Sequence, residues 1–245
     1  MEASYIDLAD PTHLEFDYLR WIRIVLEVAG ARRVLHIGGG ACALARALAA
    51  QDPGGRQEVC EADGDVLELA RIHMGLRRAP GIRVRHAEGR AFIAGRADAD
   101  NRAHRATADW DAVVIDAFDG ATVPRRLITT QAFAAVARVA PLALVNVVDN
   151  RFARDVRLVA AGLATAYPSV WTLGPRAGNS VIAGSATTPP LALVASRAAA
   201  DPSPARLTMP MTLATLLGGT AALRDEDIDR AASSFRRPPD PHDPR

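Results

Sequence analysis

An apolar strand that runs directly into three consecutive glycines constrains this chain more than any other segment. Residues 34–37 read Val-Leu-His-Ile, Gly38, Gly39 and Gly40 follow, and strong helix formers fill residues 41–50. Three glycines at this point allow a sharp turn and a close backbone approach that a Cβ atom would obstruct. The N–H groups of the first helical turn would then point toward whatever lies over the glycines. The segment predicts a strand–turn–helix unit with a ligand site above the turn.

A carboxylate at a suitable distance along the chain supports a nucleoside as that ligand. The spacing of Gly38, Gly40 and Ala43 fits the GxGxxG/A pattern, which is also met in tight turns without a ligand. A strand-like segment at residues 57–60 is followed by Glu61, about twenty residues beyond the glycines, where an acid that binds ribose hydroxyls is expected. Glu61 is therefore a candidate ribose ligand, and a solvated loop carboxylate is the alternative interpretation.

Strand-like and helical segments alternate along the rest of the chain, which predicts a parallel sheet covered on both faces. Near the end, two strand-like runs joined by the turn-rich GPRAG predict an antiparallel hairpin. The expected fold is α/β, a doubly wound and mostly parallel seven-stranded sheet with a C-terminal antiparallel hairpin. The strand candidates are 34–37, 57–60, 82–86, 110–116, 142–148, 169–173 and 179–184, and the helical runs include 66–76, 129–139 and 153–166.

The 245 residues, 49% of them hydrophobic, are enough for one substantial core. We expect an N-terminal helical segment at 1–30, a Rossmann-like core at 31–188 and a helical extension at 189–232. The proline-rich tail at 233–245 is expected to be disordered. Residues 97–108 are polar and predict a loop before the fourth strand.

Composition excludes several classes of function. The net charge of +1 provides no overall attraction to nucleic acid or to a membrane, and the absence of lysine excludes a Schiff-base mechanism. Cys42 and Cys60 are expected to be buried packing residues in a reducing compartment, and His36 a buried core residue. The scattered histidines predict no metal site. With no apolar stretch of about 18 residues and no signal-peptide pattern, a cytoplasmic protein is expected.

Two carboxylates follow the fourth predicted strand. Asp116 ends the run AVVID, and Asp119 lies three residues further on. In doubly wound sheets the ligand crevice lies at the carboxyl ends of the strands, so both acids can face one partly dry pocket. The alternative for Asp116 is that it caps a loop or a helix.

Several short segments, in the same order along the chain, resemble motifs of the spermidine synthase family. The resemblance spans roughly residues 12–185 and implies the fold of class I methyltransferases. The matching pairs are LEFDYLRWI (14–22) with DEFIYHEML, IGGGACAL (37–44) with IGGGDGG, EADGDV (61–66) with EIDxxV, EGRAFI (88–93) with the segment that reads adenine, DAFDG (116–120) with DxxDP, and LITTQAF (127–133) with LFTxEF.

In that family an aminopropyl group moves from decarboxylated S-adenosylmethionine to a diamine, and methylthioadenosine is released without a metal. The resemblance implies that Asp116 is the base, that Asp119 orients the nucleophile and that Tyr18 lies in the substrate pocket. It also implies a small amine as the acceptor, and a homodimer is compatible with it. The implied cofactor contacts are Glu61 with the ribose, Glu88 with the adenine amino group, and Gly38, Gly39 and Gly40 with the nucleoside.

Departures from the family pattern leave two further functions open. Ala41 replaces an acid that holds the aminopropyl ammonium, and Leu19 and Arg20 replace a polar pair next to Tyr18. A methyltransferase using intact S-adenosylmethionine, with S-adenosylhomocysteine as product, would tolerate Ala41, because its carboxylate can accept backbone hydrogen bonds. A non-catalytic domain that binds S-adenosylmethionine or methylthioadenosine is the third reading. A second acid at the cofactor tail would favour aminopropyl transfer, and an arginine such as Arg20 at that point would favour methyl transfer. A pocket closed over Asp116 would favour a non-catalytic binding domain.

Overall fold

The computed structural model describes residues 4–76, 79–103, 108–120, 122–149, 154–175 and 178–234. Within these ranges the strands are β1 (Arg33–Ile37), β2 (Arg56–Glu61), β3 (Ile82–His86), β4 (Ala112–Ile115), β5 (Leu142–Asp149), β6 (Ser169–Gly174), β7 (Gly178–Ser185) and β8 (Arg206–Thr208). The helices are α1 (Asp17–Ala29), α2 (Ala43–Gln51), α3 (Gly64–His73), α4 (Gly89–Ala103), α5 (Thr130–Val139), α6 (Arg154–Leu163), α7 (Leu191–Ala199), α8 (Pro210–Leu217) and α9 (Asp225–Ser234).

The strands form one sheet in the order β3-β2-β1-β4-β5-β7-β6-β8. β3, β2, β1, β4 and β5 run parallel to one another, whereas β7 pairs antiparallel with β5 and with β6. This arrangement confirms the doubly wound α/β fold with a C-terminal hairpin. The strand order reverses between β1 and β4, which is where ligands bind in open α/β sheets.

The predicted count of seven strands is wrong, because β8 adds an eighth strand antiparallel to β6. Arg206–Thr208 has three residues and follows a proline-punctuated segment. A strand this short shows no alternation of apolar and polar residues, so its pairing with β6 has no signal in the sequence.

Apolar side chains project from both faces of the sheet, which is buried between two layers of helices. On one face Leu35 and Ile115 pack against residues of α4, α5 and α6. On the other face Val34 and Val114 pack against residues of α1, α2 and α7. Adjacent strand residues point to opposite faces, so this double burial explains why β1 and β4 are apolar runs without alternation.

The expected loop at residues 97–108 is wrong over its first part, since α4 continues to Ala103. Ala97 is buried in the core, and the Arg96 guanidinium lies 5.5 and 5.6 Å from the ring centroids of Phe92 and Trp110. These contacts stabilise a helix whose sequence is polar. Residues 104–107 of the expected loop, and 235–245 of the expected disordered tail, lie outside the described residues.

Two smaller predictions from the sequence, on the two cysteines and on His36, are confirmed. Cys42 and Cys60 are buried free thiols. His36 is buried, with Nε2 3.0 Å from Oε1 of Gln57. In the described part of the chain, no helix combines the length and the apolar character needed to cross a membrane.

The C-terminal extension is attached to α1 by a half-buried ion pair. Nε of Arg20 donates to the Asp201 carboxylate at 3.1 and 3.2 Å, and Nη1 donates to the carbonyl oxygens of Leu14 and Glu15. Trp21 Nε1 donates to the backbone oxygen of Ser203 at 2.9 Å. Arg20 therefore joins α1 to the C-terminal extension, and its guanidinium group is used in these contacts.

Asp201→Ala is expected to lower the free energy of unfolding by about 1 to 3 kcal/mol, because it leaves the Arg20 charge half-buried and without its carboxylate. The control is Asp52→Ala, which removes the partner of Arg32 in a pair whose side chains are 61% and 41% exposed. That change is expected to cost less than about 1 kcal/mol. Urea unfolding of both variants measures the difference, and equal losses would contradict the assignment.

Candidate functional site

A cavity of about 1020 Å³ opens at the carboxyl ends of β1, β2 and β4, at the point where the strand order reverses. Its walls contain every site residue predicted from the sequence. The structure therefore brings together residues that are up to about a hundred positions apart in the chain. These residues are Tyr18, Gly38, Gly39, Gly40, Glu61, Glu88, Asp116 and Asp119.

The glycine turn is required by close packing against the neighbouring strands. Gly38 has φ +77°, and a Cβ atom there would lie 2.4 Å from the backbone oxygen of Asp116. A Cβ atom on Gly39 would lie 2.4 Å from Cγ1 of Val59. Contacts this short cannot be accommodated at Gly38, because the atom in the way belongs to the backbone of β4's continuation. The missing side chains also leave the floor of the cavity open for a ligand.

Glu61 holds the glycine turn from the end of β2. Its Oε2 accepts hydrogen bonds from the N–H groups of Gly39 (2.9 Å) and Gly40 (3.1 Å), and its Oε1 accepts one from Asp63 N–H (3.0 Å). An ionised carboxylate has about four acceptor positions, so Glu61 can still accept from a ligand hydroxyl. The bracing of the turn was not foreseen from the sequence, and the contact with ribose remains a prediction.

Glu88 lies on the cavity wall at the start of α4. Its carboxylate accepts from the N–H groups of Arg90 (3.0 Å) and Ala91 (2.8 Å), which makes it the cap of this helix. Nε of Arg126 lies 3.5 Å from Oε1 of Glu88. Asp63 has the corresponding role for α3, where its Oδ1 accepts hydrogen bonds from Asp65 N–H and Val66 N–H. The adenine contact of Glu88 remains a prediction.

Asp116 extends the β4 ladder and directs its carboxylate to the cavity. Its N–H donates to the Ile37 carbonyl at 2.9 Å. Oδ2 accepts from the Tyr18 hydroxyl at 3.1 Å, and Oδ1 accepts from Nδ2 of Asn146 at 2.9 Å. Burial raises the pKa of Asp116, and the hydrogen bonds from Asn146 and Tyr18 oppose part of that rise. Burial, and then the nearby Asp116 charge, raise the pKa of Tyr18, so its hydroxyl keeps its proton.

Asp119 lies at the exposed mouth of the cavity. Its backbone forms a bridge with Thr122, with Asp119 N–H donating to the Thr122 carbonyl at 2.9 Å. Gly120 within this turn has φ +63°. Proline fixes φ near −65°, so this backbone conformation explains why glycine stands where the resembled motif has proline.

Neither position 41 nor Arg20, the two positions that would have separated the open functions, brings a charged group to the start of α2. Ala41 is buried, and its N–H donates to Oγ of Ser4 at 3.3 Å. Arg20 is paired with Asp201 and is absent from the described cavity wall. Asp116 lines an open cavity. The pocket is therefore not closed over Asp116, as it would be in the arrangement that favours a non-catalytic domain.

Two residues of the site were missed in the sequence. Asn146 contacts Asp116 from β5, and it is the polar residue within the apolar run LALVNVV, which is a signal that could have been noticed. Ile228 of α9 lines the cavity from the C-terminal extension. No local pattern indicates that contact, since it depends on the path of the chain after β8. Among the described residues, no group of three or more His, Cys, Asp and Glu side chains is arranged to hold a metal ion.

No protein-family model and no curated protein sequence matches this chain. Solved structures do. The crystal structure of a probable spermidine synthase from Corynebacterium glutamicum superposes with a TM-score of 0.76 at 26% identity, covering 90% of this chain and 84% of that chain. The fold is that of spermidine synthases and class I methyltransferases.

Two other structures share this fold with lower identity. A spermidine synthase in complex with the transition state analogue AdoDATO has a TM-score of 0.60 at 16% identity, with 90% of this chain and 76% of that chain covered. Human methyltransferase-like protein 13 in complex with SAH has a TM-score of 0.54 at 20% identity, with 70% and 79% covered. The neighbours are transferases, and the ligands in these two complexes are related to S-adenosylmethionine.

Gly38→Ala is expected to destabilise the protein more than Gly30→Ala. Both residues have positive φ, but a Cβ atom on Gly30 would meet nothing within 4 Å, whereas one on Gly38 would meet the backbone of Asp116. The conformational cost of about 1 to 2 kcal/mol is common to both variants, so the excess measures the steric contact. Urea unfolding and methylthioadenosine binding are compared for the two variants. Equal stability and unchanged binding would contradict the close approach of β1 and β4.

Proposed function

We propose that this protein transfers an aminopropyl group from decarboxylated S-adenosylmethionine to the nitrogen of a small amine, with Asp116 as the proton acceptor. The observation that carries the proposal is the position of the Asp116 carboxylate, which lies in the same cavity as the glycine turn and is bonded to two neutral donors, Tyr18 and Asn146. The resemblance to the spermidine synthase motifs and the similarity to the Corynebacterium structure support it.

The nucleoside half of the donor would bind at the ends of β1, β2 and β3. Glu61 has remaining acceptor capacity toward the ribose hydroxyls, and Glu88 offers carboxylate oxygens toward the adenine amino group. The open floor over Gly39 and Gly40 leaves space for the ribose ring. This placement brings the sulfonium carbon toward Asp116, because β4 is the neighbour of β1 at the switch point.

The reaction needs little from the protein apart from positioning and removal of one proton. The amine lone pair attacks the methylene carbon beside the sulfonium, and the carbon–sulfur bond breaks with its electron pair going to sulfur. Methylthioadenosine leaves as a neutral thioether, so no acid is needed for it. The nitrogen has gained a bond and gives its proton to Asp116. A carboxylate with a raised pKa is better suited to this step than an ordinary one, since general bases work best with a pKa near the working pH.

We expect the acceptor side of the cavity to be mainly apolar. Phe16 and Tyr18 stack with their ring centroids 6.0 Å apart, and Leu19 and Phe118 are further apolar residues of the cavity wall. Such a wall suits the methylene chain of an amine, while the ammonium group would lie at the Asp116 carboxylate. We therefore expect acceptors with an aliphatic body and a basic nitrogen at one end.

A methyltransferase using intact S-adenosylmethionine is the second candidate, and the start of α2 favours it. Cys42, the N-cap residue, makes no side-chain hydrogen bond to the helix, and Ala41 brings no acid to this point. Free N–H groups at a helix N-terminus favour an anion. Intact S-adenosylmethionine carries a carboxylate in its tail, and its decarboxylated form does not.

Asp116→Asn is expected to reduce turnover by about 10² to 10⁴, because it keeps the shape of the side chain but removes its proton acceptance. Methylthioadenosine affinity should change much less. The assay is single-turnover transfer with either donor to putrescine, spermidine and aliphatic monoamines. Asp111→Asn is the matched control, since Asp111 lies at the opposite end of β4 and pairs with Arg33. Activity that survives in Asp116→Asn would remove Asp116 from the mechanism.

The pH dependence follows from the same carboxyl group. Burial raises its pKa, so the native protein binds this proton more tightly than the unfolded chain. The wild-type rate should therefore rise with pH through a pKa above the ordinary aspartate value, and the stability contribution of this group should fall over the same interval. Methyl transfer in place of aminopropyl transfer would select the second candidate. Tight nucleoside binding without transfer to any amine would select a binding protein.

A further inference from the structure

We propose that Asn146 is a positioning residue that holds Asp116 in both of its protonation states, donating to its carboxylate and accepting from its carboxylic acid. This inference rests on the proposed role of Asp116 as proton acceptor.

Asn146 is a buried amide in the middle of an apolar strand. It is 1% exposed, and the neighbouring Val145 and Val147 point into the core on the opposite face of the sheet. Its Nδ2 donates to Oδ1 of Asp116 at 2.9 Å. A buried amide in this setting is unfavourable unless its polar atoms are bonded, so its position in β5 calls for a partner such as Asp116.

Only half of this amide is satisfied among the described residues. Oδ1 of Asn146 is buried and has no hydrogen-bond partner there. Unpaired buried acceptors are uncommon in folded proteins, and each one asks for an explanation. Here the explanation is a second state of the site in which this oxygen does have a donor.

The reaction itself creates that second state. When the amine nitrogen bonds to carbon and sulfur leaves with the electron pair, the nitrogen proton moves to Asp116. The carboxyl group then has an O–H that needs an acceptor. A half-turn of the Asn146 amide presents Oδ1 to this proton, and it breaks only the bond from Nδ2 that is no longer needed. While this proton lies on Oδ1, the Tyr18 hydroxyl can go on donating to Oδ2; were the proton on Oδ2 instead, the same hydroxyl could accept it.

An amide is well matched to this position for chemical reasons. An arginine could donate but not accept, and its charge would lower the pKa of Asp116. A second carboxylate would repel the first. An amide is neutral and offers both a donor and an acceptor with similar shape.

Other groups around Asp116 leave this role to Asn146 and Tyr18. The titratable and charged side chains that line the cavity together with Asp116 are Tyr5 from the N-terminal segment, Tyr18 from α1, His36 from β1, Cys42 before α2, Cys60, Glu61 and Asp63 from β2 and the residues after it, Glu88 before α4, and Asp119, Arg125 and Arg126 from the segment after β4. Burial lowers the pKa of His36 to about 4, so this ring is neutral at higher pH. The residue paired with Asn146 on β7 is Val181, which is apolar.

The first test measures Asp116 without any substrate. The ¹³Cγ resonance of Asp116, assigned by its absence in Asp116→Asn, is titrated in wild type, Asn146→Leu and Asn146→Asp. Leucine has a similar volume and removes the donor to the charged form, so the pKa of Asp116 should rise by about one to two units. In Asn146→Asp two carboxyl groups share one proton, so one of the two should titrate higher still.

The second test follows the amide itself. In the wild type, the ¹⁵N–¹H signals of the Asn146 side chain should shift with the same midpoint as the Asp116 carboxyl group. In Asp116→Asn they should not titrate. Amide signals that stay constant while Asp116 titrates in the wild type would overturn the two-state role.

Kinetics distinguish positioning from a loss of folding. In Asn146→Leu the acidic limb of the transfer rate should move up by the same one to two pH units, and methylthioadenosine affinity should stay within about threefold of wild type. Ser185→Ala is the control, because Ser185 is another buried residue whose Oγ has no partner among the described residues, near the amino end of β5. Ser185→Ala should leave the acidic limb of the pH–rate profile at its wild-type position.

The outcomes separate this inference from the proposed function. If the pKa of Asp116 is the same in folded Asn146→Leu as in the wild type, the role of Asn146 is wrong and the proposal of aminopropyl transfer is unaffected. If the leucine variant does not fold, the pKa in Asn146→Asp decides in the same way. A wild type that transfers nothing to any amine defeats the proposed function. The carboxyl titrations still decide whether Asn146 controls Asp116 in that case.

Discussion

The close approach of Gly38 to the backbone of Asp116 is the constraint on which the site depends. A side chain at position 38 would meet the Asp116 carbonyl, so only glycine lets the end of β1 pass beside the end of β4. The same turn places the N–H groups of Gly39 and Gly40 on the Glu61 carboxylate. One backbone geometry thus fixes both the proposed ribose ligand and the proposed base around a single cavity.

The charges of that cavity are unevenly distributed. Carboxylates stand at the ends of β2 and β4 and before α4, whereas Ala41 brings no acid to the start of α2. No cation pairs with Asp116 among the residues that the structure describes, and burial raises its pKa, which disfavours its ionised form and makes it a better proton acceptor. The buried Asp116 carboxylate is therefore locally unfavourable, and perturbed ionisable groups of this kind are common at functional sites.

The sequence predicted the parts of the molecule that depend on local patterns. The apolar runs of β1 and β4 and the glycine turn follow from double burial and close packing, and Asp116 follows from its place at a strand end. Prediction from the sequence failed where tertiary contacts decide the structure. β8 is too short to carry a pattern, and the polar second half of α4 is helical through contacts such as Arg96 with Trp110. The partner of Asp116 on β5 became visible only once β4 and β5 were paired.

Calorimetric titration of the wild type and Glu61→Ala with methylthioadenosine, decarboxylated S-adenosylmethionine, S-adenosylmethionine and NAD tests most directly whether this is an adenosyl-sulfonium site. Methylthioadenosine should bind more tightly than NAD, and Glu61→Ala should weaken the binding of every adenosyl ligand by about 1.5 to 3 kcal/mol, the usual value of hydrogen bonds to a charged acceptor. Tighter binding of NAD than of methylthioadenosine, or an affinity unchanged by Glu61→Ala, would contradict this assignment.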